Sequence, residues 1–255
     1  AAEVWILGTD TIDNVFGGGH GDGDHTDPSA ANYNPGANVG YLSDGITSIG
    51  LDDGGKAVVQ LMAGTVNHVY GGSNSLGDIR RGSNVTSVVR GTGDVRPNCC
   101  TELNVQEIYG GGKQADMFGG AEIVLGCMPN DWIGAIYGGA ANADVKNDVS
   151  LTLTSGKFGR VFGGNKSGGN IEGYIEVNIE ENPDCSTPII IGELYGGGDA
   201  APYTLPSRYI TENNPNYQSP RVNVRSFTSI GNFYGGGYGA AATVKGNPMV
   251  NINDL

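Results

Sequence analysis

The chain has 255 residues, of which 45 are glycine, and a formal net charge of −13. High glycine without a Gly-X-Y period excludes collagen, and the recurring apolar stretches are untypical of a disordered chain. The acidity disfavours nucleic acid as a partner because phosphate backbones would be repelled, and no apolar run reaches the length of a membrane span.

A short segment of alternating apolar and polar residues recurs along the chain. In chain order it begins at positions 4 (VWIL), 57 (AVVQLM), 85 (VTSVV), 121 (AEIVL), 149 (VSLTL), 175 (IEVNI), 222 (VNVR) and 249 (MVNIN). In the copy at 149, Leu151 and Leu153 face one side and Thr152 faces the other, which is the period of a half-buried strand.

A second segment follows the first seven of these strands and ends in an aromatic residue and two glycines. These endings stand at Phe16, Tyr70, Tyr109, Tyr137, Phe162, Tyr195 and Tyr234, separated by 25 to 54 residues. A third short segment follows, centred eight to ten residues after the aromatic on Ile79, Met117, Val145, Ile171 and Val244. One unit is therefore three short strands joined by three corners.

This unit predicts an all-β fold, a right-handed parallel β-helix (a three-sided β-solenoid) of about seven coils. The Gly-Gly pairs are expected to supply positive φ at a sharp corner and to allow close approach between coils. The preceding aromatic rings are expected to stack into a ladder. A kelch propeller is the competing architecture, but its repeats of about 50 residues are too long for a unit that shrinks to 25.

The variable spacing predicts a single solenoid domain over 1–255 with loops inserted into its coils. The largest insertions lie near 20–56, 91–105, 180–190 and 199–220, and all are rich in glycine, asparagine, proline or aspartate. No capping helix is evident at either end, so we expect a segment of a longer protein or a column capped by a partner.

The stretch IYGGAANADVKNDVSLTLTSGKFGRVFGGN, residues 136–165, resembles repeats in large exported proteins of gut Bacteroidetes and related anaerobes. The match extends more loosely from Val4 to Asn253. The resemblance implies an extracellular or cell-surface solenoid, adhesin-like or part of a surface layer. Its partners would be other segments or subunits of the same assembly, or host or dietary glycans. It implies no catalytic residues.

The loop GGGHGDGDHTD contains Asp22, Asp24 and Asp27, which make it a candidate calcium site because calcium takes six to eight oxygen ligands. The alternative is a flexible acidic loop tip, which we favour, and we expect no cofactor to be required. Asp24, Asp78, Asp116 and Asp144 also hold similar positions in their units. They could form a row that holds cations, or accept hydrogen bonds at turns.

The inserted loops hold five tyrosines that could stack on sugar rings or anchor the loops to the column: Tyr33, Tyr41, Tyr203, Tyr209 and Tyr217. The four cysteines fit one or two disulfides or free buried thiols. We expect a non-enzymatic solenoid with a structural, adhesive or assembly role. The alternative is a carbohydrate-active β-helix, similar to a polysaccharide lyase or glycosidase, that binds glycans in a groove walled by the loops.

Overall fold

The computed structural model describes residues 2–8, 11–39, 56–79, 103–127, 132–211, 213–214 and 217–253, and the backbone of 85–92. Its strands form two long parallel sheets and a narrow third side. The first sheet contains β1 (Ala2–Leu7), the first half of β3 (Ala57–Tyr70), β4 (Val85–Thr92), β6 (Gly120–Gly126), β8 (Val149–Leu153), β10 (Ile175–Glu180), β13 (Arg221–Ser226) and β16 (Met249–Ile252), in that order. The second contains β2 (Ile12–Phe16), the second half of β3, β5 (Leu103–Tyr109), β7 (Trp132–Tyr137), β9 (Gly156–Phe162), β11 (Ile189–Tyr195) and β14 (Ser229–Tyr234).

The third side consists of single bridges and one short pair of strands. Parallel bridges join Val39 to Ile79, and Met117 to Val145 and then Ile171. Nearer the C-terminus, β12 (Tyr203–Thr204) pairs with β15 (Val244–Lys245). Among the described residues the three sides close seven coils, and β16 begins another. The prediction of a three-sided parallel β-helix is confirmed.

The core forms because the alternating residues of the first sheet point inward in register from coil to coil. Ile123, Leu151 and Val177 pair in sequence across β6, β8 and β10 and are fully buried. Each of these side chains contacts the side chains of the coils above and below it instead of water, so the core is one continuous apolar column. Leu151 and Leu153 lie in it, as their alternation predicted.

The Gly-Gly pairs serve close approach and not positive φ, so that part of the prediction is wrong. A Cβ at Gly138 would lie 2.4 Å from the carbonyl oxygen of Gly163, and one at Gly163 would lie 2.4 Å from that of Gly196. Positive φ occurs instead at other corners, for example 127° at Gly156 and 76° at Gly169. Stacked backbones at this corner leave no room for a side chain.

A disulfide joins Cys127 to Cys185 across a sequence separation of 58 residues. Cys127 follows β6 directly, and Cys185 lies between β10 and β11. Because β8 lies between β6 and β10 in the first sheet, the bond links two coils that are not neighbours. Cys99 and Cys100 lie outside the described residues.

Of the predicted insertions, only parts lie within the described residues. The 180–190 insertion is the turn between β10 and β11, and the 199–220 insertion contains β12 and a 3-10 turn at Ser207–Tyr209. Described residues of the 20–56 insertion form turns and a 3-10 turn at Pro35–Ala37. The remainder of that insertion up to residue 55, and residues 93–102 of the 91–105 insertion, lie outside the description.

Candidate functional site

The aromatic residues before the Gly-Gly pairs form an unbroken stack along the second sheet. Neighbouring ring centroids are 4.8 to 5.1 Å apart with interplanar angles of 2 to 11°. The stack is a cluster separate from the core, packed against Ala135 and Ala141. The spacing follows from the distance between paired strands, so each ring meets the next at a favourable contact distance. The predicted ladder is confirmed.

A charged network lies beside this ladder, on the outward face of the second sheet. Lys166 Nζ donates to both carboxylate oxygens of Glu107, at 2.7 and 2.9 Å, and to Tyr109 Oη at 3.0 Å. Tyr109 in turn donates to Glu107 at 2.5 Å, and His68 Nε2 lies 3.5 Å from the same carboxylate. Lys166 stands two coils away from Glu107, and between them the small side chain of Ala135 occupies the equivalent position.

Burial and pairing shift the pKa values of this network in opposite directions. Burial by itself would raise the pKa of Glu107, but the hydrogen bonds from Lys166 and Tyr109 and the charge of Lys166 outweigh it, so the pKa is lowered. The pKa of Tyr109 is raised by burial and by its bond to Glu107. Glu107 is therefore ionised and Tyr109 neutral at pH 7. The Glu107 carboxylate is paired with Lys166, and the Tyr109 hydroxyl donates its proton to Glu107.

The aspartates of the third side bind the backbone of the following coil. Asp116 Oδ1 accepts from the Asp144 N–H at 2.8 Å, and Asp144 Oδ1 accepts from the Asn170 N–H at 2.7 Å. Asp78 Oδ1 accepts from the Phe118 N–H at 2.8 Å. The turn interpretation is confirmed for Asp24, which accepts from the Thr26 and Asp27 N–H groups. For the other three aspartates it is wrong, because their partners lie in the next coil. These side chains supply hydrogen bonds where the third side has no continuous strand ladder.

In the predicted calcium loop the carboxylates bind different local partners. Asp24 Oδ1 accepts from Thr26 and from the Asp27 N–H, while Asp27 Oδ1 accepts from Ser29. Asp22 Oδ1 accepts from Asn34 Nδ2 at 2.6 Å. These bonds lower the pKa of Asp24, chiefly through the Thr26 N–H. Within the described ranges no three His, Cys, Asp or Glu side chains converge on a metal position, and calcium binding here stays a prediction.

The five tyrosines proposed for sugar stacking lie in different environments. For Tyr203 the sugar-stacking prediction is wrong, because its side chain is only 2 % exposed. Its hydroxyl lies 2.7 Å from Ser219 Oγ and donates to the Gly173 carbonyl, so it anchors the loop. Tyr209 is half-buried and donates to Asp148, so it anchors its loop. Tyr33 and Tyr217 are half-buried, and Tyr41 lies outside the described residues.

Both ends of the column expose large apolar side chains. At the C-terminal end Ile252 pairs with the buried Val224 and is 60 % exposed, and Tyr234, the last ring of the ladder, is 46 % exposed. At the other end Trp5 and Leu7 of β1 are also exposed. Ile252 and Tyr234 thus continue the core and the ladder of the unit, whereas Trp5 pairs with Gln60 on the outward face of the first sheet.

A small pocket of about 220 Å³ lies on the outward face of the second sheet, lined by Thr65, Asn104, Val105, Gln106, Trp132 and Gly134. Trp132 occupies the outward position before buried Ile133 in β7 and is 52 % exposed. Sequence reasoning missed it, although its alternation with Ile133 places an indole on the outer face.

Comparison with family models, curated proteins and solved structures found no match to this chain. In the part of the chain that the structure describes, no helix combines the length and apolar character needed to cross a membrane.

Proposed function

We propose that this chain is a non-enzymatic, extracellular or cell-surface β-solenoid that forms part of a larger structural or adhesive assembly. The unbroken register of the core carries the proposal, because Ile179, Val224 and Ile252 lie in line across β10, β13 and β16. Solenoid coils are stabilised by their neighbours, so a strand that keeps the interior pattern is suited to pair with another coil. The partner is a segment or subunit with the same aromatic-Gly-Gly unit, and adhesion to host or dietary glycans is the further role.

The disulfide supports an oxidising location outside the cytoplasm. Disulfides persist in secreted and cell-surface proteins and are rare where thiols are kept reduced. Cys127 and Cys185 join two coils that are already packed into one column. Such a bond fits a protein that must stay folded without chaperones, in agreement with the exported proteins that residues 136–165 resemble.

The pairing of charged groups supports a structural role for the outer face. Lys166 is bound to Glu107, and Lys146 Nζ bridges Asp144 at 2.5 Å and Glu172 at 2.9 Å. Burial alone would lower the pKa of Lys146, but the two carboxylates raise it. These cations therefore hold coils together.

A carbohydrate-active β-helix is the second candidate, and a pocket on the third side favours it. This pocket, of about 240 Å³, is lined by residues that include His25, Asp116, Lys146 and the exposed ring of Phe118. It lies against the 20–56 insertion, where a glycan groove was expected. An assay for reducing or unsaturated sugar ends separates the candidates, because their release from polysaccharides would contradict the non-enzymatic proposal.

Sedimentation velocity tests the assembly role. We expect the chain to associate end to end with a dissociation constant below about 100 µM, which corresponds to a binding free energy of about 5.5 kcal/mol. Ile252→Lys should abolish this association because it places a charge in the core register of β16. Ile210→Lys is the matched control, since Ile210 is 57 % exposed but lies on the 199–220 insertion. A chain that stays monomeric, or two variants that behave alike, would contradict the proposal.

A further inference from the structure

We propose that the pocket beside Trp132 binds a neutral sugar ring, with the indole as a stacking platform and three neighbouring polar side chains as hydrogen-bonding partners. This inference is independent of end-to-end assembly, because the pocket lies on the flank of the column. It concerns a surface that the sequence analysis did not select, away from the tyrosines of the inserted loops.

The indole of Trp132 lies close to the surface of the second sheet. A Cβ at Gly159, in the neighbouring strand β9, would be 3.1 Å from Trp132 Cζ2. The ring therefore extends over a position that has no side chain, while about half of its surface faces solvent. An aromatic ring that rests against a rigid sheet and is half exposed needs little reorganisation to accept a flat apolar surface.

The polar side chains come from the two coils that precede Trp132. Thr65 pairs with Asn104 across β3 and β5, and Asn104 precedes Val105, which pairs with Ile133 next to Trp132. Gln106 follows on the same outward face and is exposed. One hydroxyl and two amides can each donate and accept hydrogen bonds, so they match the adjacent hydroxyl groups of a sugar.

Size and charge narrow the ligand class. The pocket of about 220 Å³ is smaller than the ~300–1,000 Å³ typical of drug-sized ligands, which suits one ring of a longer glycan. Its lining contains no ionisable side chain, and the chain carries a net charge of −13. Lys157 stands in register with Trp132 in β9 but is not part of this lining. The negative field of the chain disfavours a uronic acid, so a neutral sugar is favoured.

Intrinsic fluorescence tests the proposal directly, because the chain has two tryptophans. Trp5→Phe leaves Trp132 as the single reporter. We expect saturable changes in its emission with at least one of cellohexaose, xylohexaose, mannohexaose and maltohexaose, and at least about tenfold weaker binding of hexagalacturonate. No response to any neutral hexasaccharide, or equal binding of hexagalacturonate, overturns the proposal. So does a response to decaproline alone, which would assign the ring to peptide recognition.

Variants measured by calorimetry in the intact chain separate the indole from its neighbours. Trp132→Ala should weaken binding by at least about tenfold, and Asn104→Ala by about three- to tenfold. Trp5→Ala is the matched control, since Trp5 is 50 % exposed on the end strand β1, and it should leave the affinity unchanged. Unchanged binding by both Trp132→Ala and Asn104→Ala overturns the site. Sedimentation of Trp132→Ala and Asn104→Ala should match the parent, so failure here and failure of the assembly proposal are distinguishable.

Discussion

Replacing Phe162 by alanine tests whether the aromatic ladder stabilises the column. Phe162 is fully buried and stacks between Tyr137, at 5.1 Å, and Tyr195, at 4.8 Å. Removing a buried phenylalanine ring costs about 3–5 kcal/mol, and each stacked pair accounts for ~0.5–1.5 kcal/mol of that loss. Since two pairs are lost together, we expect a decrease near the upper end, about 4–5 kcal/mol in the free energy of unfolding.

Urea denaturation followed by tryptophan fluorescence measures this loss, with the slope of the transition checked for each variant. Phe227→Ala is the control, because Phe227 is 41 % exposed between β13 and β14 and outside the ladder. It should cost less than about 1 kcal/mol. Tyr234→Ala, with one stacked neighbour, should fall between the two. If Phe162→Ala costs no more than Phe227→Ala, the ladder does not stabilise the column and the reasoning is wrong.

Three further predictions concern single interactions. Burial, assisted by Glu107, raises the pKa of Tyr70 to about 12. The Tyr70 hydroxyl therefore ionises first in the unfolded chain, above about pH 10, and should contribute a loss of up to ~2 kcal/mol in the free energy of unfolding between pH 10 and 12. Tyr70→Phe should remove that contribution in denaturation measured against pH, while Tyr195 and Tyr203, whose pKa values are also raised to about 12, keep theirs. Reduction of the Cys127–Cys185 bond should lower the unfolding free energy by about 2–4 kcal/mol; equal urea midpoints with and without reductant would contradict this. Asp144→Ala should lower the free energy of unfolding by about 1–3 kcal/mol because the Asn170 N–H loses its acceptor. Asp144→Asn still offers an oxygen to that N–H, so thermal denaturation should show a loss of less than about 1 kcal/mol.

Features that repeat in every coil could be predicted from the sequence. The position of Met117 opposite Val145 and the inward direction of Leu151 both follow from aligning units, because stacked coils keep one register. The stacking of Phe162 on its neighbours follows in the same way. In each case a local pattern, copied along the chain, determines a contact between coils.

Contacts that depend on a small or absent side chain in a neighbouring coil could not be predicted. Lys166 reaches Glu107 because alanine stands at position 135 in the coil between them, and no local pattern around Lys166 indicates that partner. Trp132 extends over Gly159 for a similar reason. The burial of Tyr203 depends on how an inserted loop returns to the column, which composition does not determine.

The ladder and the acidity of the chain both affect how one column meets another. An exposed parallel edge with apolar side chains is a template for pairing with any extended segment, which usually leads to aggregation. A net charge of −13 opposes such contacts between identical columns at long range. A segment that continues the ladder above Tyr234 and covers Ile252 gains stacking and core burial at once, enough to overcome that repulsion. We therefore expect the proposed assembly to be selective. Non-specific contacts between acidic columns are repelled, and only a segment with the same repeat in register gains the stacking and burial that offset this repulsion.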